Sequence, residues 1–506
     1  MKKTLLLSLS SVLLLTSCSQ GTTIDQKGAN VFPASAVEDT LEITMGDVMP
    51  FYDNGVMNIY HLRNITGSNS LFYHPIARLT TSDYIHYTDE GVSLNYEESI
   101  TSVDAALGTG SFIKDANGKY HCFYTGHNGG ITDPDLGKDA RPYIEVVRHA
   151  TSDDQKTWVK DEEFNLYGHE NDFRDPYVYF DNVDNTYYML VTTRDYLNQG
   201  SPSVIRRFAS TSLSVDDEGW TFVDNFFTND EGDYNMECPS FVQFGNYYYL
   251  AYSEQGDNRV THYRYKESHD GEWKRFDRDA IDSAGFYAGR IEKAGDKLYA
   301  FAWCARLTGG NTGSFDWAGN LVTHELKQRE NGELLPVMPE TYKNYFKNEV
   351  SYPNSKGEDV KNYSFDGTKF TATALTKKSE RVTRISMKVK PSGTSGDFGL
   401  TFALNNQYDN RLGVGVMAFD LANNKIVCYN NVSNIIRYGS ELTHINYQFE
   451  QNKEYDVDVV VCGELLSLYL NNEVALTARL MDMEGNSFGF YSNKAKAEIT
   501  EVKFYE

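Results

Sequence analysis

Five times between Asp47 and Trp303 the chain repeats one unit: an extended apolar segment, a tight turn of Gly, Asn or Asp, then a strand rich in Tyr and Phe. The turns are Asn54-Gly55, Asn117-Gly118, Asp184-Asn185, Gly245-Asn246 and Gly295-Asp296. From Gly55 to Gly118, Asn185 and Gly245 the intervals are 63, 67 and 60 residues, and the last repeat is shorter. Each interval holds about four strands of ordinary length with their loops. One small twisted sheet cannot bury both of its faces, but five arranged radially can. The pattern therefore predicts an all-β fold with a five-bladed β-propeller over residues 40–340, the innermost strand of each blade lining a central axis.

Counting back from the turns gives those inner strands a phase. Asp47 lies 8 residues before Gly55, Ser111 lies 7 before Gly118, and Asp175 lies 10 before Asn185. Glu237 lies 8 before Gly245, and Tyr287 lies 8 before Gly295. Carboxylates at one point of several inner strands converge at one mouth of the axis, where their repulsion is a net cost unless they serve a ligand. Around Asp175 the sequence is Phe173-Arg174-Asp175-Pro176. Pro176 lacks a backbone donor and biases Asp175 towards extended conformations, which places the carboxylate where a strand begins. Taken alone, Arg-Asp-Pro also fits a structural ion pair at a strand end.

Composition narrows the partners. The 506 residues carry a formal charge of −24 and no basic run, which argues against nucleic acid as a partner. Lys2 and Lys3 precede an apolar run from Leu5 to Leu15, too short to span a membrane, followed by Leu15-Thr16-Ser17-Cys18. That ending resembles a bacterial lipobox. It implies a signal peptide over 1–17, a lipidated Cys18, a polar tether over 18–39, and an exported lipoprotein held to a membrane of the cell envelope. Cys122, Cys238, Cys304, Cys428 and Cys462 show no zinc-ligand spacing and read as mainly buried free thiols. No metal or cofactor motif is present.

Residues 341–362, broken by Pro353 and Gly357, read as a linker. Beyond it the hydrophobic pattern alternates, as in Ile385, Met387 and Val389, in Leu412, Val414 and Val416, and from Tyr455 to Cys462. A strand ending at Leu470 turns at Asn471-Asn472, and Val502 with Phe504 marks the last. Residues 363–506 are thus expected to form a two-sheet antiparallel β-sandwich without a catalytic constellation.

Carboxylates converging in a cleft suit glycoside hydrolysis, in which one ionised acid meets the anomeric carbon and one protonated acid serves the leaving oxygen. Here the residues resemble glycoside hydrolase family 32, the β-fructosidases. Gly46-Asp47, Phe173-Arg174-Asp175-Pro176 and Met236-Glu237-Cys238-Pro239 are similar to its three signature blocks. Thr109-Gly110-Ser111, Thr81-Ser82-Asp83 to Tyr87, and Phe286-Tyr287-Ala288 are similar to weaker blocks in the same order. The resemblance implies a retaining enzyme that releases fructose from sucrose, inulin or levan without a metal. It makes Asp47 the nucleophile, Asp175 the transition-state stabiliser and Glu237 the acid/base, with Arg174 paired to Asp175. Thr109, Tyr287 and Asp282 are candidate substrate contacts.

Asp53, in Tyr52-Asp53-Asn54-Gly55, is a rival nucleophile by text, but its place in a turn favours Asp47. Cys238, next to Glu237 on a strand, is expected to face away from it as a packed thiol. The chain departs from the family where Gly46 replaces an Asn, Met49-Pro50 replaces an Asn-Gly, Leu62 replaces a sugar-binding Gln, and a Trp is missing near His74 and Ile76. Two further readings remain open: a five-bladed propeller glycosidase acting on arabinosides or xylosides, and a glycan-binding surface lipoprotein without activity.

Overall fold

The computed structural model describes residues 24–25, 28–34, 43–65, 73–128, 145–168, 172–195, 202–213, 219–229, 232, 234–256, 258–308, 314–379, 382–402, 414–430, 441–481 and 487–506. Five antiparallel blades surround an axis, with inner strands Ile43–Asp53, Ala106–Lys114, Arg174–Asp181, Asn235–Phe244 and Tyr287–Ala294. The first and fifth blades join in one sheet, where Gly319 of the strand Ser314–Gln328 pairs with Met45 and closes the ring. Each inner strand turns tightly into the next strand of its blade. Asn54 and Gly55, for example, both take positive φ, at 50° and 85°, as a two-residue hairpin that follows strand twist requires.

Every inner strand also carries a β-bulge near its start. The pairing skips between Gly46 and Val48, Gly108 and Gly110, Arg174 and Tyr177, Glu237 and Ser240, and Tyr287 and Arg290. Asp47, Asp175, Cys238 and Ala288 sit in these bulges with φ of 24°, 59°, 53° and 53°. Pro176 and Pro239 lie there too, where no ladder bond needs the missing N–H. The bulges correct the phase read from the sequence. Thr109, not Ser111, is the counterpart of Asp47 and Asp175, and Glu237 shares its position with Arg174 one residue earlier.

Amides freed by the bulges bond to the preceding blade. Gly110 N–H donates to Met49 Sδ at 3.1 Å, Asp175 N–H to Thr125 Oγ1 at 3.0 Å, Cys238 N–H to Asp175 Oδ2 at 2.8 Å, and Gly289 N–H to Ser253 Oγ at 3.0 Å. Ser111 does similar work, its Oγ accepting from Val178 N–H at 2.9 Å. The strained residues are thus held by bonds that run from blade to blade.

The sandwich packs two antiparallel sheets around one core. Ile385, Met387 and Val389 point into it from one sheet, and Phe398, Leu400, Phe402, Met417 and Phe419 from the other. The outer face of the first sheet lies against the fifth blade, so that Val460, Leu465, Tyr469 and Ala475 share a core with Leu298, Phe301 and Leu321. Four of the five described cysteines are buried, and all five are free.

Two expectations about connecting segments are corrected. Residues 341–362 are not a bare linker: the helix Glu340–Tyr345 buries Tyr342, Phe346 joins the propeller core, Glu349–Val350 pairs with the strand Lys496–Tyr505, and Tyr352 enters the sandwich core. The tether proposed over 18–39 is folded in part. Val31 and Phe32 are buried at the junction of the domains, Asn30 N–H donates to Ile85 O at 2.9 Å, and Leu321 N–H donates to Pro33 O at 2.9 Å. Residues 1–17, Cys18 and Leu412 lie outside the described residues.

Candidate active site

Asp47, Asp175 and Glu237 meet at the mouth formed by the starts of the inner strands. Asp47 is half-buried; its Oδ2 accepts from Thr109 Oγ1 at 2.7 Å and its Oδ1 from Trp303 Nε1 at 3.1 Å. Burial raises its pKa and Asp175 raises it further, while the Thr109 and Trp303 hydrogen bonds and the Arg290 guanidinium pull it back. Asp175 is buried, and its Oδ2 takes the Cys238 N–H. Glu237 accepts at Oε1 from Arg174 Nη2 at 3.0 Å and at Oε2 from the Tyr287 hydroxyl. Burial pushes its pKa up to about 7, opposed by Arg174 and Tyr287 and aided by Asp175 and Asp47. The Tyr287 and Trp303 rings, edge to face at 5.3 Å, connect the Glu237 and Asp47 sides of the mouth.

These environments separate the acids. Burial raises both pKa values, but at Asp47 the Thr109 and Trp303 donors and Arg290 oppose the rise, whereas burial pushes Glu237 up to about 7. Two like side chains with different neighbours can take different roles in proton transfer.

Other expected residues stand differently. Arg174 forms no ion pair with Asp175; its guanidinium bonds Glu145, Asp172, Glu237 and Gln255. Thr109, expected to touch substrate, is buried and donates to Asp47. Asp282 is not at the mouth at all. It is buried between the domains, with Oδ2 on His324 Nε2 at 2.8 Å and Oδ1 accepting from Thr477 N–H at 2.9 Å. Cys238 does not face away from the acids: its Sγ lies 3.9 Å from Thr109 Oγ1, since the bulge cancels simple alternation. Burial and the surrounding carboxylates lift its thiol well above the usual range, so it is a packed thiol at the axis. Asp53 lies at the other end of its strand, bonded to Tyr120 OH at 2.8 Å and to Lys114.

Sequence reasoning passed over several residues. Glu145 and Asp172 share Arg174, and Trp303 holds Asp47. Arg290 is buried on the axis, donating to Gly110 O with its Nε and Nη2 unpartnered. Trp317 explains one departure from the family: a Cβ at Gly46 would fall 2.2 Å from its ring, so only glycine fits. His74, at φ 59°, stacks on Trp317 with centroids 4.2 Å apart. Apart from Asp172, two residues before Arg174, these residues have partners on another blade and so no local signal.

A bladed β scaffold with three acids meeting at one mouth fits a glycoside hydrolase. The family model for the glycosyl hydrolases family 32 N-terminal domain matches residues 49–335, and the chain belongs to that family. The match begins just after Asp47. A levanbiose-producing levanase of Geobacillus stearothermophilus is 24% identical over 310 residues, covering 54% of this chain and 67% of that protein. The fold is that of a Bombyx mori β-fructofuranosidase (TM-score 0.65, 16% identity, covering 92% of this chain and 93% of that one). It is also that of a sucrose-6-phosphate hydrolase from Lactobacillus gasseri (TM-score 0.66, 18% identity, 91% and 90% covered).

Proposed function

We propose that the protein releases fructose from β-fructofuranosides of the sucrose, inulin or levan type by double displacement. Asp47 attacks the anomeric carbon while Glu237 gives its proton to the departing glycosidic oxygen, leaving a fructosyl ester on Asp47. Glu237, now a carboxylate, takes a proton from water as that water attacks the ester, which frees the sugar with its configuration retained. Asp175, fixed through Cys238 N–H, faces the fructosyl hydroxyls and the positive charge of the transition state.

The observation that carries this reading is the meeting of two carboxyl groups with different partners, Asp47 held by Thr109 and Trp303, and Glu237 held by Arg174 and Tyr287 with burial pushing its pKa up to about 7. It is tested by assaying sugar release from sucrose, inulin, levan, arabinan and xylan, with the anomeric configuration followed by NMR. Fructose of retained configuration is expected, and Asp47→Ala should lose turnover by several orders of magnitude. Release of arabinose or xylose instead would overturn the substrate assignment. Binding of fructan without turnover would overturn the enzymatic one.

A second proposal concerns location. Cys18 in its lipobox-like context supports an exported lipoprotein, anchored to an envelope membrane by acylation of that thiol. Metabolic labelling with an alkyne fatty acid should mark the natural chain and not Cys18→Ser; equal labelling of both would refute it.

A further inference from the structure

Arg174 is shared among more negative charge than it can neutralise. Its Nη1 lies 2.6 Å from Asp172 Oδ1 and 3.4 Å from both oxygens of Glu145, while its Nη2 bonds Glu237 Oε1 at 3.0 Å and Gln255 Oε1 at 3.2 Å. Glu145 opens the strand Glu145–Ser152 of the second blade and reaches across to the third, with only 12% of its side chain exposed. A structural ion pair does not account for it. Asp172 already neutralises the guanidinium at short range, and desolvating a second carboxylate beside it brings little stability.

We propose that Glu145 is a positioning residue for the acid/base: by competing for Arg174 it keeps the guanidinium from holding Glu237 as a carboxylate. This rests on the assignment of Glu237 as proton donor. The groups facing Glu237 are Arg174 and Asp175 from the third blade, Asp47 from the first, Tyr287 from the fifth and Cys238 beside it, with Glu145 and Asp172 behind Arg174, and Arg194 Nε 4.0 Å from Asp172 Oδ2 on the far side. Burial and the nearby acids already lift Glu145 and Glu237 alike, and Arg174 is the cation that opposes both. Removing the charge of Glu145 leaves the field of Arg174 less cancelled at Glu237. The Glu237 anion is then stabilised and its proton leaves at lower pH.

The test is Glu145→Gln in the full chain, with Asp172→Asn as a second variant of the same sign should the first fail to fold. The basic limb of kcat/KM against pH should move about one unit towards acid, KM on the acid plateau should stay within about twofold, and Glu145→Asp should restore most of the limb. A readout free of turnover accompanies it: the titration of Glu237 by 13C NMR in protein labelled at glutamate carboxyls, assigned with Glu237→Gln. An acid shift of that titration supports the proposal even if the protein hydrolyses no fructoside, so failure of the substrate reading stays distinct. A limb and titration that stay in place or move to higher pH would overturn it. So would a raised KM with an unmoved limb, which would make Glu145 a sugar contact.

Discussion

Thr109→Val removes one oxygen from the site and almost no volume. Thr109 is buried, and its hydroxyl donates to Asp47 Oδ2 at 2.7 Å. A hydrogen bond to a charged group is worth about 1.5–3 kcal/mol, and one pKa unit corresponds to about 1.4 kcal/mol. Loss of this bond should therefore raise the pKa of Asp47 by about one to two units, adding to the effects of burial and Asp175. In the proposed mechanism Asp47 attacks as the carboxylate and Glu237 sets the basic limb, so the acid limb of kcat/KM against pH should move up by that amount while the basic limb stays. At the optimum the rate should change much less, since the lost bond stabilised the attacking carboxylate in its ground state. Measurement of kcat/KM from pH 3 to 9, with melting temperature as a control for folding, decides the matter. An acid limb that does not move, or a uniform loss at every pH, would refute the account and make Thr109 a sugar contact or a packing residue.

Three further outcomes are expected. Glu237→Gln should stabilise the protein at pH 8 and not at pH 4: the folded pKa of about 7 lies above the ordinary 4.5, so the stability tied to the protonated form is complete below about 4.5 and lost as pH rises through 7. The gain at pH 8 should be about 2–3 kcal/mol, read from urea unfolding at the two pH values. Asp282→Ala strands His324 and the Thr477 amide between the domains and should cost about 3–5 kcal/mol, lowering the melting temperature while kcat and KM in the cold stay unchanged. Gly46→Ala should cut kcat/KM at least tenfold by pushing on Trp317, and Trp317→Ala in the same chain should restore part of it; an unaffected single variant would contradict the close approach.

The repeat, the three acids and the sandwich were legible in the sequence because each is a local pattern: a turn followed by tyrosines, a carboxylate upstream of it, an alternation of Ile385, Met387 and Val389. The bulges were not. A bulge adds one residue without changing composition, yet it decides which neighbour faces the axis. Hence Arg174 was paired with the wrong carboxylate, Ser111 stood in for Thr109, and Cys238 was turned away from acids that it in fact adjoins. Asp282 was misplaced for another reason. It follows the fourth blade near the site in sequence, but its partners, His324 and Thr477, belong to the fifth blade and the sandwich. Val31 and Phe32 were lost in a polar stretch whose burial depends on surfaces far along the chain.

The bulges have a consequence for how such a site can change. At the head of the five inner strands the backbone makes one irregularity, and the residue within it is Asp47, Thr109, Asp175, Cys238 or Ala288. Conformation is therefore settled largely by amides donated from blade to blade; of the five stations Asp175 also lends its side chain to that lattice, and the side chains at the other four are freer to vary. The scaffold behaves as a five-place socket in which two stations hold carboxylates. Chemistry could be moved around the axis, or a further acid seated at the place of Ala288, without a new backbone, and the cost would fall on electrostatics rather than on folding.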